Sequence, residues 1–67
     1  MRFAERLKEL RIEESLTQYK LAQILRVDKT TIRNWEKGTN ETDFATLMKL
    51  AKFFEVTTDY LLGMTDY

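Results

Sequence analysis

Residues 17–38 read TQYKLAQILRVDKTTIRNWEKG, and the fold of the chain turns on how this stretch divides. Thr17 stands where a helix N-cap is wanted: its hydroxyl can accept an orphan amide of the first turn, and Leu16 and Leu21 are placed to staple across it. Leu21, Ala22 and Leu25 then recur at helical spacing, which predicts a helix over about residues 18–25 with a narrow apolar face. A residue as small as Ala22 on that face lets a neighbouring helix approach closely. Only Arg26 and Val27 precede Asp28, a second N-cap. From Lys29 to Lys37, Ile32 and Trp35 fall three apart on one side and polar groups occupy the other. Gly38 can adopt a positive φ and stop this helix. Two short helices joined so tightly, the second showing polar side chains outward, make a helix-turn-helix unit. Alone, the spacing also suits an ordinary hairpin in a small bundle.

Working outward, Phe3, Leu7 and Leu10 predict an amphipathic helix over roughly residues 2–13. Asp43 caps a fourth helix with Phe44, Leu47, Leu50, Ala51 and Phe54 expected inward. Thr57 caps a short fifth that ends at Leu62-Gly63. The expected fold is all-α: a compact five-helix bundle forming one domain over residues 1–67. A chain this short buries only about 60% of its unfolded surface, so its core is modest.

Composition removes whole classes of chemistry. There is no cysteine and no histidine, so disulfides, thiol nucleophiles, imidazole bases and the common zinc sites are excluded together. Without a phosphate-binding loop or metal cluster, no catalytic constellation stands out and no cofactor is expected. Glu36 has neither a base nor a nucleophile beside it and reads as a structural acid. The N-terminal MRFAERLKEL holds no apolar run long enough for a signal peptide or membrane span, so a cytoplasmic location is expected. The chain carries 11 basic and 11 acidic residues, but they are not mixed evenly. Residues 1–16 cancel. Residues 17–37 hold five cations (Lys20, Arg26, Lys29, Arg33, Lys37) against Asp28 and Glu36, whereas residues 38–67 hold two cations against five anions. The basic part coincides with the helix-turn-helix, as a polyanion partner requires.

TQYKLAQILRVDKTTIRNWEKG followed by LMKLAKFFEVTTDYLLG resembles the Cro and phage-repressor family of DNA-binding domains, the lambda-repressor-like fold, from about Leu7 to Gly63. The resemblance implies a third helix that enters the major groove of double-stranded DNA, as a homodimer on a near-palindromic operator, in a transcriptional regulator expected to be a repressor. Lys29, Thr30 and Asn34 match base-reading positions, and their chemistry fits, since asparagine pairs bidentately with adenine and lysine donates to guanine. Gln18 matches a glutamine that bonds to the DNA backbone and braces recognition side chains. Thr31, Arg33, Lys37, Thr39 and Asn40 fall at or beside phosphate-contacting positions, which fix register without reading sequence. Arg11 and Glu36 match an ion pair between helices 1 and 3 of some relatives.

The departures are equally specific. Ser15, Arg26 and Glu55 stand where the family often has glycine, and a non-glycine residue in the left-handed region costs about 1 kcal/mol. The loop after Gly38 offers Glu41 and Asp43 in place of basic residues, which weakens phosphate contacts there. Trp35, three residues from Ile32, reads as core and not as a base-stacking group. Phe53, Tyr60, Met64 and Tyr67 exceed what the core pattern needs and are the expected dimer interface, although they also suit completion of a small core. Zero net charge and the acidic loop keep one rival open: a protein-interaction module of the same fold that has lost DNA.

Overall fold

The structure, a computed structural model, describes residues 2–67. Five helices succeed one another: α1 Phe3–Glu13, α2 Gln18–Leu25, α3 Lys29–Lys37, α4 Phe44–Phe54 and α5 Thr58–Leu62. No strand occurs among the described residues, and none of these helices is long and apolar enough to cross a membrane.

Four of the five begin on the side chains expected to cap them. Thr17, Asp28, Asp43 and Thr57 sit in extended backbone and accept the amides of Lys20 (3.0 Å), Thr30 (2.9 Å), Thr46 (3.2 Å) and Tyr60 (3.0 Å). Each such cap contributes about 1 kcal/mol. Hydrogen bonding from Thr46 holds the Asp43 carboxyl below the usual aspartate range. That cap is therefore fully present at neutral pH and is lost only as pH falls through the lowered value.

All five helices end alike. A residue in the left-handed region closes each one, and the amide after it reaches back five residues: Leu16 to Arg11, Val27 to Ala22, Thr39 to Asn34, Val56 to Ala51 and Met64 to Asp59, at 2.9 to 3.0 Å. Gly38 and Gly63 adopt this conformation without penalty, but Ser15, Arg26 and Glu55 adopt it too, with φ of 56°, 59° and 57°. Their next neighbours in the chain account for the difference. The residues after the three non-glycine closures are Leu16, Val27 and Val56, all packed against the core. After the two glycines come Thr39 and Met64, both exposed. An apolar side chain anchored one position beyond the turn offsets the backbone cost, which is the hydrophobic contact that accompanies this helix ending. Gly63 has a second reason to be glycine, because a Cβ there would lie 2.8 Å from the Cβ of Arg2.

The centre of the core takes one residue from every helix: Leu7, Leu21, Ile32, Leu50 and Leu61 are fully buried. Around them pack Phe3, Leu10, Ala22, Leu25, Trp35, Leu47, Ala51 and Phe54, with the Phe3 and Trp35 rings edge to face at 6.3 Å. Phe44, expected inward, is instead 83% exposed. It shares the helical stripe of Leu47 and Ala51 but occupies the first turn of α4, beyond the edge of the core, where it forms the rim of a small depression with Phe3 and Leu62.

Arg6 is the converse case, a charge inside. It lies on the stripe of Phe3, Leu7 and Leu10 and is only 4% exposed. Its Nη1 donates to the carbonyls of Tyr60 and Thr65 (both 3.0 Å), its guanidinium stacks 4.1 Å over the Tyr60 ring, and a longer contact of 3.4 Å reaches exposed Asp66. Charged hydrogen bonds of this kind contribute roughly 1.5 to 3 kcal/mol each. They fasten α5 and the residues after it to α1.

The helix endings make a stability prediction. Glu55 bears the left-handed cost, about 1 to 2 kcal/mol, and puts a negative charge at the C-terminus of α4, where the helix dipole opposes it by about 0.3 to 1 kcal/mol. Glu55→Gly removes both against a loss of about 0.5 to 1 kcal/mol from the freer unfolded chain. A net gain of about 1 kcal/mol, or a rise in Tm of about 4 to 8 °C, is expected in thermal melts. Arg26→Gly, which gives up a favourable charge at the same kind of position, is expected to gain less.

Candidate nucleic-acid interface

The outward side of α3 is built by subtraction. Ile32 and Trp35 are drawn into the core, Thr31 lies half-buried beside them, and Glu36 turns back toward α1. Left on the far side are Lys29, Arg33 and Lys37 at successive i,i+4 positions, with Thr30 and Asn34 forming the adjacent row. The four residues Lys29, Thr30, Arg33 and Lys37 are exposed and Asn34 is half-buried. None of the three cations enters an ion pair among the described residues. The face therefore presents donors with no internal acceptor. Thr39 and Asn40 continue it past the end of α3 as exposed loop residues.

The orientation of α3 is set from behind by one carboxylate. Glu36 receives Arg11 through two parallel hydrogen bonds, Nε to Oε2 at 2.7 Å and Nη2 to Oε1 at 3.1 Å, and the Gln18 amide nitrogen through a third at 3.1 Å. Arg11 also donates to the Leu16 carbonyl at 2.7 Å, so it ties the α1–α2 connection to the same point. The side chains of Arg11 and Glu36 are only 12% and 5% exposed. Geometry of this bidentate kind gives both strength and direction. It also fixes Gln18: the carboxylate only accepts, so the amide must turn its nitrogen inward, leaving its carbonyl and second N–H for other partners. Three helices thus meet at one acid, and the polar face of α3 is held away from it.

The leftover apolar groups are placed unevenly. Phe53 (40% exposed), Met64 and Tyr67 are open to solvent. Tyr60 is not surplus, because it is half-buried beneath the Arg6 guanidinium. Two further apolar side chains are exposed along α4: Phe44, expected inward, and Met48.

The profile of the helix-turn-helix family matches residues 7–61. The chain belongs to that family. Its relatives are regulators of the Cro and phage-repressor type, in keeping with the resemblance carried by residues 17–38. It is 44% identical over 63 residues to the HTH-type transcriptional activator BcrR of Enterococcus faecalis, covering 94% of this chain and 31% of that protein. Over 66 residues it is 38% identical to the HTH-type transcriptional regulator ImmR of Bacillus subtilis, covering 98% and 52%. It is 39% identical over 54 residues to the cryptic phage CTXphi transcriptional repressor RstR of Vibrio cholerae, covering 81% and 49%. The chain thus spans about half or less of these relatives. Among solved structures, the restriction-modification controller protein C.AhdI of Aeromonas hydrophila superimposes with a TM-score of 0.78 at 28% identity, over 90% of this chain and 91% of that one. α2 and α3, joined by only three residues, form the helix-turn-helix unit expected from residues 17–38.

Two features of the site escape a reading of the sequence. The third donor to Glu36, Gln18, lies 18 positions away, and local periodicity carries no signal for such a pair. Tyr19 is exposed beside it and accepts a hydrogen bond from Gln23 at 3.2 Å. It falls outside the apolar stripe and outside the matched contact positions, so neither pattern marks it.

The shared acid is directly testable. Glu36→Ala leaves the Arg11 guanidinium nearly buried without a counter-charge, a change that costs about 3 to 5 kcal/mol in comparable pairs. A domain of this size has only about 3 to 10 kcal/mol in total, so urea denaturation should show the variant largely unfolded or close to it. The double variant Arg11→Met/Glu36→Met, with no charge left stranded, should regain most of that loss. An equal loss in both variants would mean that packing, and not charge pairing, holds α3.

Proposed function

We propose that this chain is a sequence-specific reader of double-stranded DNA that inserts α3 into the major groove and regulates transcription, as a repressor, by occupying its operator. The observation that carries this reading is the free polar face of α3: four exposed side chains and half-buried Asn34 form a surface without ion-pair partners among the described residues, of chemistry suited to base edges and phosphates. In the reading, Lys29, Thr30 and Asn34 contact bases, Thr30 packing its methyl against thymine. Gln18, Thr31, Arg33, Lys37, Thr39 and Asn40 hold the phosphates and set the register. Occupying DNA is the action these side chains supply, and an occupied promoter is closed to polymerase.

A homodimer on a near-palindromic site supports useful affinity from so small a reader. The molecule measures 28 × 23 × 20 Å, so two copies side by side suit recognition helices about 34 Å apart, one turn of the duplex. Phe53, Met64 and Tyr67, with Tyr60 behind them, are the surface proposed for that contact.

Zero net charge and the acidic residues Glu41 and Asp43 favour a second reading, a protein-interaction module on the same fold. Salt separates the two. A DNA reader loses affinity linearly in log salt as counterions are released, whereas a module that has lost DNA shows no binding to any duplex at low salt.

The experiment is selection of bound duplexes from a random pool, followed by titration of the selected site. An enriched site with two-fold symmetry is expected. Asn34→Ala should then lose about 1 to 3 kcal/mol of discrimination at one base pair of each half-site. Arg33→Ala should weaken all duplexes alike and flatten the log-log salt slope by about 0.9 for each protomer bound. An unchanged sequence preference in Asn34→Ala would remove that residue from the base-reading set.

A further inference from the structure

Beside α3, a shallow open groove runs between the beginnings of α2 and α3, lined by Arg11, Thr17, Gln18, Tyr19 and Lys29. Its polar groups are unequally engaged. Arg11 is committed to Glu36 and to the Leu16 carbonyl. The Thr17 hydroxyl accepts from the Lys20 amide, and the Tyr19 hydroxyl accepts from the Gln23 amide nitrogen at 3.2 Å. A hydroxyl that has accepted one hydrogen bond still has its own proton to give. Neither Thr17 nor Tyr19 gives it to a partner among the described residues, and Lys29 has no ion-pair partner there. Of the carboxylates near it, Glu36 already accepts three N–H groups, and Asp28 caps α3 by accepting the Thr30 amide. The groove therefore offers spare donors from four side chains, Thr17, Gln18, Tyr19 and Lys29.

The Gln23 bond matters most. It spans one helical turn along the exposed face of α2 and holds the phenol, which is 59% exposed. The ring adds nothing to the core described above. A tyrosine is thus braced at the open rim of a donor-lined groove, next to Lys29 at the head of α3.

We propose that Tyr19 is an additional DNA-contact residue, whose hydroxyl donates to a phosphodiester oxygen lying in this groove when α3 enters the duplex. The inference rests on the DNA-reading function proposed above and adds a positioning contact to it. A neutral hydroxyl bound to phosphate releases no counterion of its own. Its signature therefore differs from that of a lysine or arginine: affinity falls, and the salt slope does not change.

The test uses the full chain and the duplex recovered by selection. Tyr19→Phe keeps the ring and removes only the hydroxyl. Binding to the selected site and to an unrelated duplex should weaken by roughly tenfold for each protomer bound, the effect of a hydrogen bond to a charged group, with an unaltered salt slope and an unaltered melting temperature. Gln23→Ala, which frees the phenol to rotate, should weaken binding by a smaller factor. Neutral methylphosphonates placed one at a time along the backbone locate the contact: at one position per half-site the parent chain should lose affinity while Tyr19→Phe loses no more. Full affinity in Tyr19→Phe, with the parent chain binding tightly, overturns the assignment of Tyr19 and leaves the DNA reading intact. A parent chain that binds no duplex at low salt overturns the DNA reading, and this assignment with it.

Discussion

Everything that faces outward here depends on the acid that faces inward. Glu36 sits on α3 yet points away from its exposed side, and its carboxylate gathers Arg11 from α1 and Gln18 from α2. An ion pair so little exposed adds less net stability than its distance suggests, because two charges must first leave water. Its contribution is direction. Apolar contacts from Ile32 and Trp35 press α3 onto the core and choose its buried side. Bidentate geometry adds a directional restraint to that choice, and Glu36, drawn inward, is not available to the cations left on the other side of α3.

The remaining constraint is size. A sequence of 67 residues that forms five helices leaves few positions for anything but caps, closures and core. One fully buried residue per helix makes the centre, so each helix depends on the other four. The helix closures show how closely local and global demands are matched. Ser15, Arg26 and Glu55 tolerate a left-handed backbone where the next residue, Leu16, Val27 or Val56, is anchored in the core. Where the next residue is exposed, glycine is used. Arg6 performs the same service at the end of the chain, holding the segment after α5 by its carbonyls.

Much of this is legible in the sequence, because caps and periodicity are local. Thr17, Asp28, Asp43 and Thr57 announce their helices by residue type, and the bounds of α2 and α3 agree with them to the residue. The free face of α3 emerges once Ile32 and Trp35 are assigned inward. Phe44 departs from expectation because periodicity gives the face of a helix but not where its neighbours stop. Arg6 lies in plain view on an apolar stripe. A long charged side chain at such a position ordinarily reaches solvent by extending its stem, and nothing local says that two carbonyls some sixty residues later will take it instead. The Gln18–Glu36 bond and the groove beneath Tyr19 depend on how α2 and α3 cross, which no single helix encodes.

A backbone amide titration by nuclear magnetic resonance tests the central claim most directly, using nitrogen-15-labelled protein and the duplex recovered by selection. Shifts should concentrate at Thr17 to Lys20 and along Lys29 to Asn40, leaving the buried side of α4 quiet. Perturbations centred on α4 and α5, with the exposed face of α3 unmoved, would contradict the account and make that face an ordinary solvated surface.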